Sequence, residues 1–229
     1  MTTINRSLNT FKVKDPISAL THFIGFIGAI IGMPVLLIKA SAYHCELKTM
    51  IGFGVYMLSM IILYGASTSY HSFNINERAN RILKKIDHCS IFVLIAGSYT
   101  PVCLDVLNNR SGKILLIVIW AIAIAGIIFK IFWVTCPKWV SSVLYIGMGW
   151  AALSVIPELY SSMPSDGFLW LLMGGILYTI GGVIYALKPN LFPNEESTGF
   201  GNHELFHIFV LMGSLCHFIM MFKDIVLIG

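Results

Sequence analysis

ILLIVIWAIAIAGIIF fills residues 114–129, between Lys113 and Lys130. The stretch carries no charged side chain and is apolar on every face of a helical wheel, so no side of it is built for water. It falls somewhat short of the ~20 residues that cross a hydrocarbon core as a helix, and reaches that length if the flanking lysines lie at the interfaces with their heads snorkelling outward. Six more windows lack Asp, Glu, Lys and Arg: Pro16 to Ile38, Thr49 to Asn76, His88 to Leu104, Trp139 to Pro157, Gly167 to Leu187 and Leu205 to Phe222. An open sheet cannot satisfy its backbone in lipid, so each window is expected to be a helix. Over all 229 residues the chain is 57% hydrophobic and 11% charged, with a mean hydropathy of +0.81, against roughly 25% charged residues in a soluble domain. The expectation is an all-α membrane protein, a seven-transmembrane helix bundle forming one domain over residues 1–229 after a short polar segment of about 1–15.

The basic residues between the windows predict orientation. Arg6, Lys12, Lys14, Arg78, Arg81, Lys84, Lys85, Lys130, Lys138 and Lys188 fall on the side of the N-terminus; Lys39, Lys48, Arg110, Lys113 and Lys223 fall on the other. The positive-inside rule then places the N-terminus in the cytoplasm and the C-terminus outside. The net charge of +4 reads as a basic inner rim facing anionic headgroups, with no need of nucleic acid. No Gly-rich phosphate loop is present, and Gly25, Gly28 and Gly32 read as small residues at close helix contacts. The five cysteines form no C-x-x-C pair and are expected as free thiols. No cleavable signal pattern precedes the first window, which is expected to act as its own insertion signal. Trp133, Trp139 and Tyr160 suit interfacial belts, and Pro189, Pro193, Gly199 and Gly201 mark the segment from Pro189 to Asn202 as a loop.

The chemistry concentrates in three places. His203-Glu204-Leu205-Phe206-His207 opens the seventh window; residues four apart on a helix lie nearly above one another, so both imidazoles can face one cation, and neutral imidazole is a common zinc ligand. Ser67-x-x-x-His71 ends the second window with the same spacing, and Asp87 precedes the third. The charge count brings all of them to one depth. His71 is the candidate third nitrogen, which leaves a tetrahedral position open to water as in catalytic zinc sites; three imidazoles with water suit zinc best among common ions. Its plain alternative is a cap on the second helix near Lys84 and Lys85. Ser67 either donates to a metal-bound water or bonds back to its own helix carbonyl. Asp87 is either the acceptor of the proton from an activated water or an acid stabilising a helix start. Glu204 can be a general base, a partner for a ligand or an exposed first-turn acid. His217 lies ten residues past His207, about 15 Å along a helix, and cannot share the site. His22 and His88 are expected to orient a ligand or bond between helices.

Together with Asp87-His88-Cys89-Ser90-Ile91-Phe92 and Ala96-Gly97-Ser98-Tyr99-Thr100-Pro101, these motifs resemble the hemolysin III family, the bacterial branch of the progestin and adipoQ receptor family, from about Pro16 to Lys223. The resemblance implies a seven-helix protein of the bacterial cell membrane, with zinc held at His71, His203 and His207 and a water contacted by Asp87. It also connects the chain to a superfamily with alkaline ceramidases. The expected function is hydrolysis of a lipid amide or ester, with Asp87 and Ser67 as catalytic groups and a membrane lipid as substrate. The competing expectations are a lipid sensor with structural zinc and a lytic protein. With a short polar segment before the first window, a role as a protein-hormone receptor is not expected.

Overall fold

The computed structural model describes residues 12–229; Arg6 and the rest of residues 1–11 lie outside the described part. Among the described residues, seven helical spans are long and apolar enough to cross a membrane: Pro16–Ala42, Leu47–Ser72, Glu77–Val106, Arg110–Phe132, Lys138–Ser162, Ser165–Leu187 and Asn202–Leu227. Among the described residues there is no strand. The helices are α1 (Pro16–Ala42), α2 (Leu47–Ser72), α3 (Glu77–Pro101), α4 (Arg110–Phe132), α5 (Lys138–Gly149), α6 (Ile156–Ser162), α7 (Ser165–Leu187), α8 (Glu195–Thr198) and α9 (Asn202–Lys223). Helix α3 runs on into a π-helical turn, Val102–Val106, and its span is the most deeply buried of the seven. Helix α1 packs on α2 and α9, α2 on α3, and α7 on α5 and α9, while α4 lies against α3.

The third span starts at Glu77, about three turns before the uncharged window. Asn76 caps it by accepting from the Ala79 N–H at 2.8 Å. Arg78, Arg81, Lys84 and Lys85 therefore sit on helix, and Asp87 is buried well inside α3 rather than at its start.

The fifth span breaks. A 3-10 segment, Trp150–Val155, separates α5 from α6, which has Pro157 in its first turn. The departure from α-helical pairing at Trp150 takes backbone groups out of the regular ladder, and inside a membrane such groups need another partner. Tyr99 of α3 supplies one: its hydroxyl donates to the Gly149 carbonyl at 2.5 Å and accepts from the Ala152 N–H at 2.9 Å.

Two expectations about small and charged residues change. A Cβ on Gly25 would lie 2.6 Å from Leu211 and 2.9 Å from Tyr64, and one on Gly32 would lie 3.1 Å from Met57, so both are close contacts; Gly28 has nothing within 4 Å. Lys130 does not snorkel. Its amine is fully buried, folded back to Ser141 Oγ at 2.5 Å and Cys136 Sγ at 3.1 Å. The five cysteines are free, and Trp133, Trp139 and Tyr160 are exposed as a belt requires.

Candidate metal centre

The last turn of α2 brings His71 to the first turns of α9, and one ring nitrogen from each of His71, His203 and His207 lies within 4.8 Å of the others. His71 Nε2 and His203 Nε2 face each other at 3.2 Å. A tetrahedral ion with metal–nitrogen bonds of ~2.0–2.1 Å holds its nitrogens about 3.3 Å apart, so this pair already has the spacing of two ligands. The His203 and His207 ring centroids are 4.4 Å apart and those of His71 and His207 5.1 Å apart. A four-residue step along α9 and one residue from α2 can thus hold a metal ion.

Helix α1 fixes the rings from behind. Asp15 Oδ2 lies 2.9 Å from His71 Nδ1 and 3.3 Å from Lys14 Nζ. The Asp15 N–H also donates to the His71 carbonyl at 2.8 Å. Thr21 Oγ1 lies 3.2 Å from His207 Nδ1. With both Nδ1 atoms engaged, His71 and His207 are left with Nε2 as the free ligand atom, the usual device for orienting metal-binding imidazoles. His71 is therefore held by Asp15, not by Lys84 or Lys85. Asp15, Ser18 and His22 recur at a helical spacing on an otherwise apolar segment, and that polar stripe is the signal that could have revealed the contribution of α1.

Glu204 belongs to the scaffold. Its Oε1 accepts from Ser18 Oγ at 2.5 Å and its Oε2 from the Gly201 N–H at 2.9 Å. It closes the first turn of α9 and ties that turn to α1. Both oxygens are occupied, and the residue is buried rather than exposed.

Ser67, Asp87, His203 and His207 all border one cavity. Ser67 Oγ is buried without a hydrogen-bond partner, so it does not bond back to its helix. Asp87 is buried with Oδ2 3.4 Å from His88 Nδ1. Beyond these groups the wall turns apolar, with Leu94, Ile95 and Val102 of the third span, Leu171 and Leu172 of α7 and Ile146 of α5. Along the third span the lining runs from Asp87 to Val102, about 22 Å at ~1.5 Å per residue. His217 also borders the cavity and reaches the Leu171 carbonyl at 3.3 Å, and it is not one of the three clustered imidazoles.

A family model described as "Haemolysin-III related" matches residues 11–218. The chain is 37% identical over 209 residues to "Hemolysin-3 homolog" of Bacillus subtilis (strain 168), covering 91% of this chain and 93% of that protein. It is 38% identical over 211 residues to "Hemolysin-3" of Bacillus cereus, covering 92% and 91%. A more distant similarity, 26% over 217 residues, reaches "Adiponectin receptor protein" of Drosophila melanogaster and covers 86% of this chain and 48% of that one.

Proposed function

Because this chain belongs to the haemolysin-III related family, we propose that it is a zinc-dependent hydrolase of a lipid amide or ester, working in a bacterial cell membrane with its N-terminus in the cytoplasm. The observation that carries this reading is that a three-histidine cluster has two of its members, His203 and His207, on the wall of the same long, largely apolar cavity as a buried carboxylate and an unpartnered hydroxyl. His71, His203 and His207 would hold the ion. Zinc bound there supplies a Lewis acid that polarises a carbonyl and lowers the pKa of water to about 7. Asp87 takes up the proton of the attacking water on the cavity wall. Ser67 donates its free hydroxyl hydrogen to the substrate oxygen as charge develops there, or positions the water. The apolar wall binds acyl chains, each buried methylene contributing about 0.8 kcal/mol, and so sets the reacting carbonyl at the polar end. The basic residues counted on the side of the N-terminus, which include those of the first turns of α3, support a cytoplasmic position for that end.

The test is turnover of defined lipid amides and esters by the protein in nanodiscs with stoichiometric zinc. Hydrolysis that disappears in His207→Ala is expected. No product from either bond class, or equal rates in His207→Ala, overturns the hydrolase.

A second reading rests on the way the cluster joins helices. Metal at His71, His203 and His207 would staple α2 to α9, with α1 attached through Asp15 and Thr21. In that case the zinc is structural and the cavity binds a lipid without reaction. The two readings separate on Asp87→Asn, which stops a hydrolase and leaves a sensor's lipid binding intact.

A further inference from the structure

The proposed hydrolase makes no use of a buried group of reactive side chains where α4 meets α5. Lys130, in the last turn of α4, is fully enclosed. Its Nζ lies 3.1 Å from Cys136 Sγ and 2.5 Å from Ser141 Oγ, and the last two atoms are 3.3 Å apart. A buried amine is normally matched by a carboxylate; among the described residues none forms an ion pair with Lys130. The Tyr145 ring lies 6.0 Å from the amine. The thiols of Cys45 and Cys89 face backbone carbonyls. Cys136 instead touches a lysine amine, the kind of neighbour found beside reactive cysteines.

We propose that Lys130 and Cys136 form a reversible covalent sulfur–nitrogen bond when the membrane meets a hydroperoxide. A peroxide oxygen is transferred to the Cys136 sulfur, giving a sulfenic acid and, from hydrogen peroxide, one water; the sulfur is oxidised by two electrons and the peroxide reduced by two. Sulfenic acids condense with a neighbouring nitrogen or thiol. Here the Lys130 nitrogen attacks sulfur, the sulfur–oxygen bond breaks, and the hydroxyl leaves as water with a proton from nitrogen; an ammonium form releases one further proton. Ser141 holds the amine beside the sulfur. Two molecules of a thiol reductant return the amine and the thiol and become a disulfide. Burial keeps a bulky thiol from the sulfur and leaves the Lys130 nitrogen already beside it, which favours the internal nitrogen as the trap. The bond would close the α4–α5 connection over Tyr145, whose hydroxyl donates to the His88 carbonyl.

The full chain in nanodiscs, treated with hydrogen peroxide and digested with trypsin without reductant, provides the test. Trypsin needs a free Lys130 amine to cut after it. The expected product is an uncut peptide of residues 114–138, lighter by two hydrogens; a thiol reductant restores its mass, and renewed trypsin then cuts it to peptides 114–130 and 131–138. Ser141→Ala is expected to lower its yield several-fold. Complete cutting after Lys130 with Cys136 found as thiol or sulfinic acid overturns the bond, and an uncut peptide retaining one oxygen overturns the direct sulfur–nitrogen link. The native protein alone decides these outcomes, so they stand even if Ser141→Ala fails to fold.

Discussion

His22 lies flat against His207, with ring centroids 3.6 Å apart and planes 11° from parallel, and neither nitrogen of His22 has a hydrogen-bond partner. The ring also meets Tyr64 edge-on at 5.1 Å. The stack bears on the face of the His207 ring while Thr21 meets its Nδ1, and it acts through contact area alone, so shape matters more than the nitrogens. His22→Ala is expected to lower zinc affinity about tenfold, the lower end of what supporting residues contribute at metal sites, and His22→Phe is expected to preserve most of it. Competition against a fluorescent chelator measures both; equal affinities for the two variants would show that the stack does not position His207.

Asp15 should be the strongest of the supports. Its carboxylate engages His71 Nδ1 at 2.9 Å while its N–H binds the His71 carbonyl, so one residue aims both the ring and the end of α2. Asp15→Ala removes the carboxylate's contacts with His71 and Lys14 and keeps the backbone one. Zinc affinity is expected to fall 10–100-fold, about 1.4–2.8 kcal/mol, with the helices intact. Metal-competition titration beside circular dichroism checks the two halves of that expectation.

Metal removal tests the coupling of these helices. A ligand that binds only the folded state stabilises it by about 4 kcal/mol at a thousand times its Kd. A chelator is therefore expected to lower the thermal midpoint of the native protein, and to leave that of His71→Ala unchanged. Midpoints that match with and without chelator in the native protein would show that α2 and α9 do not depend on the ion.

The spans were legible because charge is scarce: seven uncharged windows match seven helices within a few residues at most ends. They missed the first turns of α3, where Arg78, Arg81, Lys84 and Lys85 follow helix geometry at the rim of the bundle, a pattern that a search for uncharged residues rejects. The three imidazoles were legible from spacing and topology. The polar positions of α1 carry a weaker signal: Asp15 and Ser18 share a helical spacing with His22, but what each one touches depends on the rotation of α1 against α2 and α9, set by packing between distant segments. Lys130 misled for a related reason: an interfacial lysine can turn outward or inward, and only the arrival of Cys136 and Ser141 decides which.

Glu204 and Asp87 carry opposite expectations. Both oxygens of Glu204 serve as acceptors at the start of α9, and an amide can replace one of them. Glu204→Gln is expected to cost about 1 kcal/mol of stability, as for a lost cap or hydrogen bond, and to keep most lipid hydrolysis. Asp87→Asn is expected to keep zinc and stability within narrow limits and to lose at least a hundredfold in rate, in the range of a general acid–base group. Rates and metal content of the two purified variants check this, and a dead Glu204→Gln that retains zinc would exchange their roles.

Tyr99→Phe probes the break in the fifth span. The hydroxyl is the partner of both the Gly149 carbonyl and the Ala152 N–H, at 2.5 and 2.9 Å, and its removal leaves two backbone groups without that partner where water is scarce. Each such group costs about 1–3 kcal/mol when left unpaired in a buried setting. The side chain otherwise keeps its volume, so no packing is lost and the effect isolates the hydrogen bonds. Tyr99 also lines the cavity beside Ala152 and Leu153, so the 3-10 segment should loosen where the wall faces lipid. The expected outcome is a lower thermal midpoint together with faster amide hydrogen exchange confined to residues 149–156; an unchanged midpoint would mean that α5 and α6 satisfy their own backbone across the break.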